Sequence, residues 1–346
     1  NTDVETRASI NTLLRYPEDS AGSIMTPEFV DLKRDMTVED AFKRIRRTGV
    51  DKETIYTCYV TDASRHLLGV TTVKELLLHD QDDRIEAFME TNVIYVNTLS
   101  DQEEAAAQLS KYDFLALPVV DLEERLVGII TVDDAMDVIQ EENTEDIQKM
   151  NAIVPTERTY LKTGVLATWK SRIPWLLLLM VSATFTGSII TSFEDKLASM
   201  IILTSFIPML MDTGGNSGSQ ACVSIIRGIS LNEIEFRDLG RVVWKEIRVS
   251  VLCGVCLAIA CFAKIIVVDM LLLKSESVTY LVAFVVCATM AVTVCLAKIV
   301  GSTLPLLAKK LGFDPAVMAS PIITTIVDFL SLLVYFAFAT AMLGIG

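Results

Sequence analysis

The hydrophobic and polar positions change rhythm twice along the chain. Between about residues 24 and 140, apolar residues come in short runs rich in Val and Ile, separated by turn residues such as Asp62-Ala63-Ser64 and interleaved with segments of helical spacing. The runs repeat. Tyr59-Val60-Thr61-Asp62 leads to Leu68-Gly69-Val70-Thr71-Thr72-Val73-Lys74-Glu75, and 59 residues later Pro118-Val119-Val120-Asp121 leads to Val127-Gly128-Ile129-Ile130-Thr131-Val132-Asp133-Asp134. Upstream, Thr37-Val38-Glu39-Asp40-Ala41 matches Asp101-Gln102-Glu103-Glu104-Ala105 at an offset of 64, so the first copy carries about five extra residues. Each copy reads as helix, strand, turn, strand, helix. After Asn143, Glu145-Asp146-Ile147-Gln148-Lys149-Met150 opens a mixed segment at helical spacing that runs on toward Trp169 and predicts a connecting helix. The remainder is apolar. Five stretches, near 172–190, 198–226, 249–268, 278–300 and 316–343, are long enough to cross about 30 Å of hydrocarbon. Several are apolar around the whole circumference, which fits membrane spans better than surface helices of a soluble domain. The predicted architecture is a multidomain membrane protein: an α/β tandem pair followed by an all-α domain of five transmembrane helices.

Charge divides the chain at the same place. The whole sequence is 51% hydrophobic with a net charge of -14, but the 33 acidic and 17 basic residues up to Thr163 give about -16, whereas the 11 and 13 after it give about +2. A domain that acidic repels nucleic acid and favours a metal cation as its small partner. In the second half, Arg227, Arg237, Arg241, Lys245 and Arg248 share one loop region and Lys309-Lys310 mark another, while the opposite loops offer chiefly Lys196 and Lys274. The positive-inside rule then predicts a multi-pass protein of the inner or plasma membrane, with the tandem pair cytoplasmic and the C-terminus outside. Six of seven cysteines lie in apolar stretches, and Cys253 and Cys256 read as packing residues. The two histidines, His66 and His79, read as surface residues, and no nucleophile and base stand together, so no enzyme is expected.

Candidate chemistry lies in the spans. Asp328 sits about twelve residues into the last stretch, roughly 18 Å along a helix and near the bilayer centre. An unpaired carboxylate there costs about 2.5 to 3.5 kcal/mol on insertion scales. Ser320, Thr324, Asp328, Ser331 and Tyr335 recur at helical spacing and form one polar stripe, which argues for a cation path; the alternative is a structural Asp bonded to a neighbouring helix. In the second stretch, Pro208 and three glycines (Gly214, Gly215, Gly218) loosen the helix, so that backbone carbonyls and Asn216 line the path with Asp212 as a further acid; the alternative is close packing at Gly214 and Gly218. Asp314 before Pro315 reads first as a helix cap and second as a mouth site for cations. Asp133, Asp134, Asp137, Glu141, Glu142, Glu145 and Asp146 form a dense acidic run, which by itself is a solvated helix face.

The two copies of the repeat resemble a tandem pair of CBS domains, a regulatory ligand-sensing module. That resemblance implies a ribose contact for an adenine nucleotide such as ATP at Thr131 and Asp134, whereas Thr72 to Glu75 lacks the closing Asp. With the Gly214-Gly215-Asn216 stretch ending in Gln220, Pro305-Leu306-Leu307, Gly312-Phe313-Asp314-Pro315-Ala316 and the later Asp328, the whole chain resembles the MgtE magnesium channels. Tyr16-Pro17-Glu18-Asp19-Ser20-Ala21-Gly22 looks like that family's junction into its first CBS unit. The resemblance implies a remnant of an acidic helical domain at 1–23, CBS domains at 24–86 and 87–142, a connecting helix at 143–168 and a membrane domain at 169–346; the chain, which does not open on Met, is expected to lack an upstream segment. It further implies a homodimer whose pore is lined by the second and fifth spans, with magnesium held by Asp328 and an ion path including Thr324, Asn216, Gly215, Asp314 and Asp212. Glu103, Asp113, Asp134, Asp137, Glu145 and Asp146 are implied as magnesium sensors that close the pore when the ion is bound. The rival expectations are a broader transporter for manganese, cobalt or zinc, and a membrane-anchored nucleotide receptor without flux.

Overall fold

The computed structural model describes residues 13–156 and 159–344, apart from the side chains of Asp195, Lys196, Ser199 and Ser320. The first part of the segment at 1–23, the outer-loop charge of Lys196 and the first hydroxyl of the polar stripe, Ser320, therefore lie outside the described residues. The chain divides into two compact units, Asn1–Asn143 and Thr144–Gly346.

The first unit is built from the repeat. In one copy β1 (Val30–Lys33) pairs in parallel with β2 (Thr57–Thr61), which pairs antiparallel with β3 (Leu67–Thr72); in the other β4 (Val96–Asn97), β5 (Ala116–Val120) and β6 (Leu126–Thr131) repeat that order and those directions. Even the irregularity recurs: the antiparallel register slips between Val60 and Thr61 in one sheet and between Val119 and Val120 in the other. Capping residues start the helices on these sheets. Thr37 caps α2 (Val38–Thr48), Thr72 caps α3 (Val73–Leu78) and Asp101 caps α4 (Gln102–Tyr112), each accepting from a backbone N–H of the first turn. Burial of alternate strand residues on these helices gives each copy a core, with Leu32, Val60, Leu76 and Ile85 in the first and Leu109, Leu117, Val119 and Ile130 in the second. A third cluster of Phe29, Tyr59, Ala116, Leu126 and Ile129 joins the two sheets. A fully buried side chain of this size contributes about 1.5–3 kcal/mol. The short helix α1 (Ala21–Ile24) packs on the second copy although it precedes the first: Ala21 and Gly22 donate to Ser100 O and Thr98 O. A Cβ on Gly22 would lie 2.6 Å from the Tyr16 ring, so only glycine fits this crossing.

The helix α5 (Val132–Met150) runs without interruption through the residues where a separate connecting helix was expected to begin, and it ends at Met150 rather than near 168. Its last turns belong to the second unit. The spans that follow are α6 (Val165–Ser192), α8 (Ile207–Ser230), α9 (Leu239–Lys264), α10 (Tyr280–Lys310) and α11 (Ser320–Leu343), with the short α7 (Glu194–Ser199) and a 3-10 segment (Ile201–Phe206) before α8. Four helices among the described residues are long and apolar enough to cross a membrane, and α8 is not one of them. The apolar stretch expected from 198 is broken at Met200 and Phe206, and α8 itself carries Asp212, Thr213, Asn216, Ser217, Ser219 and Gln220. Packing against α10 and α11 shields half of it. The expectation that Pro208 and the glycines loosen α8 is not met. Pro208 occupies the first turn, where no helical hydrogen bond is lost, and the helix continues through all three glycines. They serve contact: side chains at Gly214 and Gly218 would collide with Thr293 and Ile323, and one at Gly301 of α10 would collide with the Gly218 carbonyl.

Candidate functional site

Asp328 lies on α11 and Asp212 on α8, and the glycine contacts that let these helices approach bring the two acids close enough to repel one another. Asp212 is exposed and Asp328 half-buried, and neither takes part in an ion pair or hydrogen bond among the described residues. Asn216 is exposed in the same stretch of α8, while Gly215 is buried against the Thr324 methyl group, and the Thr324 hydroxyl donates to Pro321 O at 3.0 Å. The apolar span runs from Pro315 to Leu343, so Asp328 lies near its middle, about 12 Å along α11 from Ser320. One expectation changes: the polar stripe is not one continuous path, since Ser331 and Tyr335 are buried, donating to Val327 O and Leu203 O, and among the described side chains of the stripe Thr324 and Asp328 face a partly open side.

A second cluster lies where α5 ends. Asp314 is the cap of a 3-10 turn (Pro315–Met318) that precedes α11, not of α11 itself: its Oδ1 accepts from Ala316 N at 2.8 Å. Its Oδ2 is 2.7 Å from Lys149 Nζ, which is also 2.7 Å from Glu145 Oε1. Beside them, the half-buried Asp146 accepts from Ser230 Oγ, the last residue of α8, at 3.3 Å. Burial, and then the nearby Asp314 charge, raise the Asp146 pKa. Burial pulls the Lys149 pKa down, but the hydrogen bonds to Asp314 and Glu145 outweigh it and the net shift is upward. Met150 closes the cluster by packing against Cys222, Ile226, Ala319 and Ile323. One helix end is thereby fastened to the feet of both helices that carry the deep acids.

The remaining sensor candidates are spread through the first unit. Glu103 and Asp113 sit at opposite ends of α4, Glu103 in its first turn and Asp113 as its left-handed cap with φ 55°. Asp113 borders a groove with Ala135, Met136 and Ile139 of α5. Asp134 and Asp137 are one turn apart on α5, and Thr131 Oγ1 donates to Asp134 Oδ2 at 2.6 Å, so the proposed ribose contacts bond to each other. No group of three His, Cys, Asp or Glu side chains among the described residues stands ready to hold a metal ion.

Sequence reasoning passed over two cations. Lys149 was legible as the partner of Glu145 one helical turn away. Lys298, only 5% exposed on α10, faces the largely buried Glu246 of α9 at 4.0 Å. A lysine between Ala297 and Ile299 inside an apolar run was itself a signal.

The family model described as a divalent cation transporter, MgtE, matches residues 207–338, a range that contains Asp212, Gly215, Asn216, Asp314, Thr324 and Asp328. CBS domain models match 21–82 and 85–141. The magnesium transporter MgtE of Thermus thermophilus is 39% identical over 341 residues, covering 99% of this chain and 74% of that protein. The chain belongs to the MgtE family. The MgtE magnesium transporter of Bacillus subtilis is 36% identical over 335 residues, covering 97% of this chain and 72% of the relative. Among solved structures, the cytosolic domain of an Mg2+ channel MgtE in complex with ATP is 48% identical, with a TM-score of 0.39, over 39% of this chain and 55% of that one. As an MgtE protein the chain is a multi-pass membrane transporter and not an enzyme, with an α/β CBS pair ahead of its helical membrane part.

Proposed function

We propose that the chain conducts magnesium across the inner or plasma membrane as a homodimer, through a path lined by α8 and α11. The observation that carries this reading is the deep pair of acids, Asp212 and Asp328, left without a protein cation where two helices meet closely. Magnesium prefers octahedral oxygen and sheds its water reluctantly, so carboxylates from two copies with Asn216 and Thr324 nearby suit a hydrated ion. The curated MgtE relatives are magnesium transporters. In this reading Glu103, Asp113, Asp134, Asp137, Glu145 and Asp146 are regulatory magnesium ligands. Since no single copy gathers three of them, the sites are completed by the second copy, and closure follows when the ion bridges the subunits. An adenine nucleotide such as ATP binds at Thr131 and Asp134 by opening their mutual hydrogen bond. In the same reading the CBS pair is cytoplasmic and the C-terminus outside, which the basic loop residues support through the positive-inside rule.

Magnesium flux into proteoliposomes, wild type beside Asp328→Ala, is the test: unchanged flux in the variant removes the reading. Carboxylate and amide oxygens also accept manganese, cobalt and zinc, so competition by those ions in the same assay separates a magnesium-selective path from a broader one.

A further inference from the structure

The helix α9 has a face that neither the ion path nor the regulatory acids use. Arg241, Trp244, Lys245 and Arg248 are all exposed and follow one another at i, i+3, i+4 and i+7, so they form a single stripe. The opposite side of the same turns is turned inward: Val242 and Ser250 are buried, and Glu246 points to Lys298. Glu246, the acid within these turns, is therefore withdrawn from the stripe. Arg241 has a side chain 90% exposed, with Asp238 at 3.3 Å as its partner. Lys245 has no ion-pair partner among the described residues. The Arg248 guanidinium lies 5.8 Å from the Trp244 ring centre, and its Nε donates to Trp244 O at 3.4 Å, which fixes the side chain over the indole.

What continues the stripe says what covers it. Leu252, Val255, Ile259 and Phe262 extend the same face up the helix and are all exposed. The continuous helix from Phe236 to Leu272 has 37 residues, although about 20 suffice to cross the hydrocarbon. Its excess length places the basic turns at the level of the polar headgroups and leaves the apolar turns for acyl chains. From Arg241 to Arg248 the rise is about 10 Å, comparable to the depth of that polar layer. An exposed indole with cations above and below suits the boundary between the two.

We propose that the Arg241–Trp244–Lys245–Arg248 face of α9 docks the phosphate headgroup of an anionic phospholipid, with one acyl chain lying along Leu252, Val255 and Ile259. The general excess of positive charge in cytoplasmic loops does not require this stripe, since loop cations need not share a helix face or bracket an indole. The proposal is independent of the ion carried.

The test uses Trp244 as its own reporter. The full chain carrying Trp169→Phe and Trp175→Phe is reconstituted in phosphatidylcholine vesicles, with a fixed fraction of brominated phosphatidylglycerol or brominated phosphatidylcholine. The anionic quencher is expected to compete for the site at least about fivefold better, falling toward parity when Arg241, Lys245 and Arg248 are changed together to Gln. Should the triple variant fail to assemble, Lys245→Gln alone, at an exposed position, is expected to give a partial loss. Equal quenching by both lipids in the protein with its native charges overturns the proposal, and so does a preference that survives the triple substitution. A charge-dependent association with an acidic protein in place of a lipid would leave the two quenchers equal, which also overturns it.

Discussion

The membrane unit holds two groups of carboxylates with opposite electrostatic solutions. At the end of α5, Lys149 sits 2.7 Å from both Glu145 and Asp314, and Ser230 donates to Asp146, so each of the three carboxylates has a partner within the chain although one ammonium offsets only part of their charge. On α8 and α11, Asp212 and Asp328 lie near enough to repel one another, and neither has an ion-pair partner among the described residues. Asp328 is partly buried, as are Glu145, Asp146 and Asp314, so desolvation alone does not distinguish the two groups. The difference is the tethered cation: Lys149 serves one group, and the other has no ion-pair partner among the described residues. A permeation point has to release its ion, whereas a mouth that closes has to hold.

This contrast is most directly broken at its deep end. Asp328→Ala is expected to lower magnesium flux into proteoliposomes about a hundredfold, since even outer partners of metal ligands cost ten- to a hundredfold when lost. Next in size is Lys149→Met, which leaves Glu145, Asp146 and Asp314 facing one another. It should shift the mouth toward its undocked state by roughly 1 kcal/mol, about fivefold, because an ion pair at this partly exposed place is worth no more. Accessibility of a cysteine placed at Met150 to a thiol reagent at low magnesium would measure that shift, and Lys149→Arg should restore protection. Asp212→Asn, which keeps shape and removes the repulsion on Asp328, is expected to change flux by less than about fivefold. A result as severe as Asp328→Ala would make the two acids equal partners. The smallest effect is that of pH. The Asp146 pKa is raised in the docked mouth, so docking binds protons: it strengthens as pH falls toward the ordinary carboxylate range and weakens as pH rises through the shifted value. The same cysteine should be better protected at acid pH, and Asp146→Asn should flatten the profile.

The repeat was the most legible part of the fold, because two copies of one pattern of apolar runs and turns fold alike, and the two register slips 59 residues apart follow the same spacing. Hydropathy alone also marked the lipid-facing spans. It was least informative for α8, whose glycines and apolar residues pack on α10 and α11 while Asp212, Asn216 and Gln220 stay exposed, so its own mean hydropathy is low for a span. Asp328, Asp314 and Thr324 stood out because polar groups in apolar runs are costly. Lys149 did not, since a lysine in a mixed helix has many uses, and its contact with Asp314 spans 165 residues of chain. The break before α11 was not legible, because it depends on the extended backbone at Ala319 after the 3-10 turn, and both flanking segments read as one apolar run.

That extended residue has a mechanical meaning. Where Gly301 meets Gly218, the backbones of α8 and α10 touch without side chains between them, so a side chain at Gly301 would force the two helices apart. The foot bearing Asp314 is cut from the shaft of α11 at Ala319, whose ψ of -153° interrupts the helical hydrogen bonding. A pull on Asp314 through Lys149 therefore reaches the shaft of α11 across a break in the helix and not along a continuous rod.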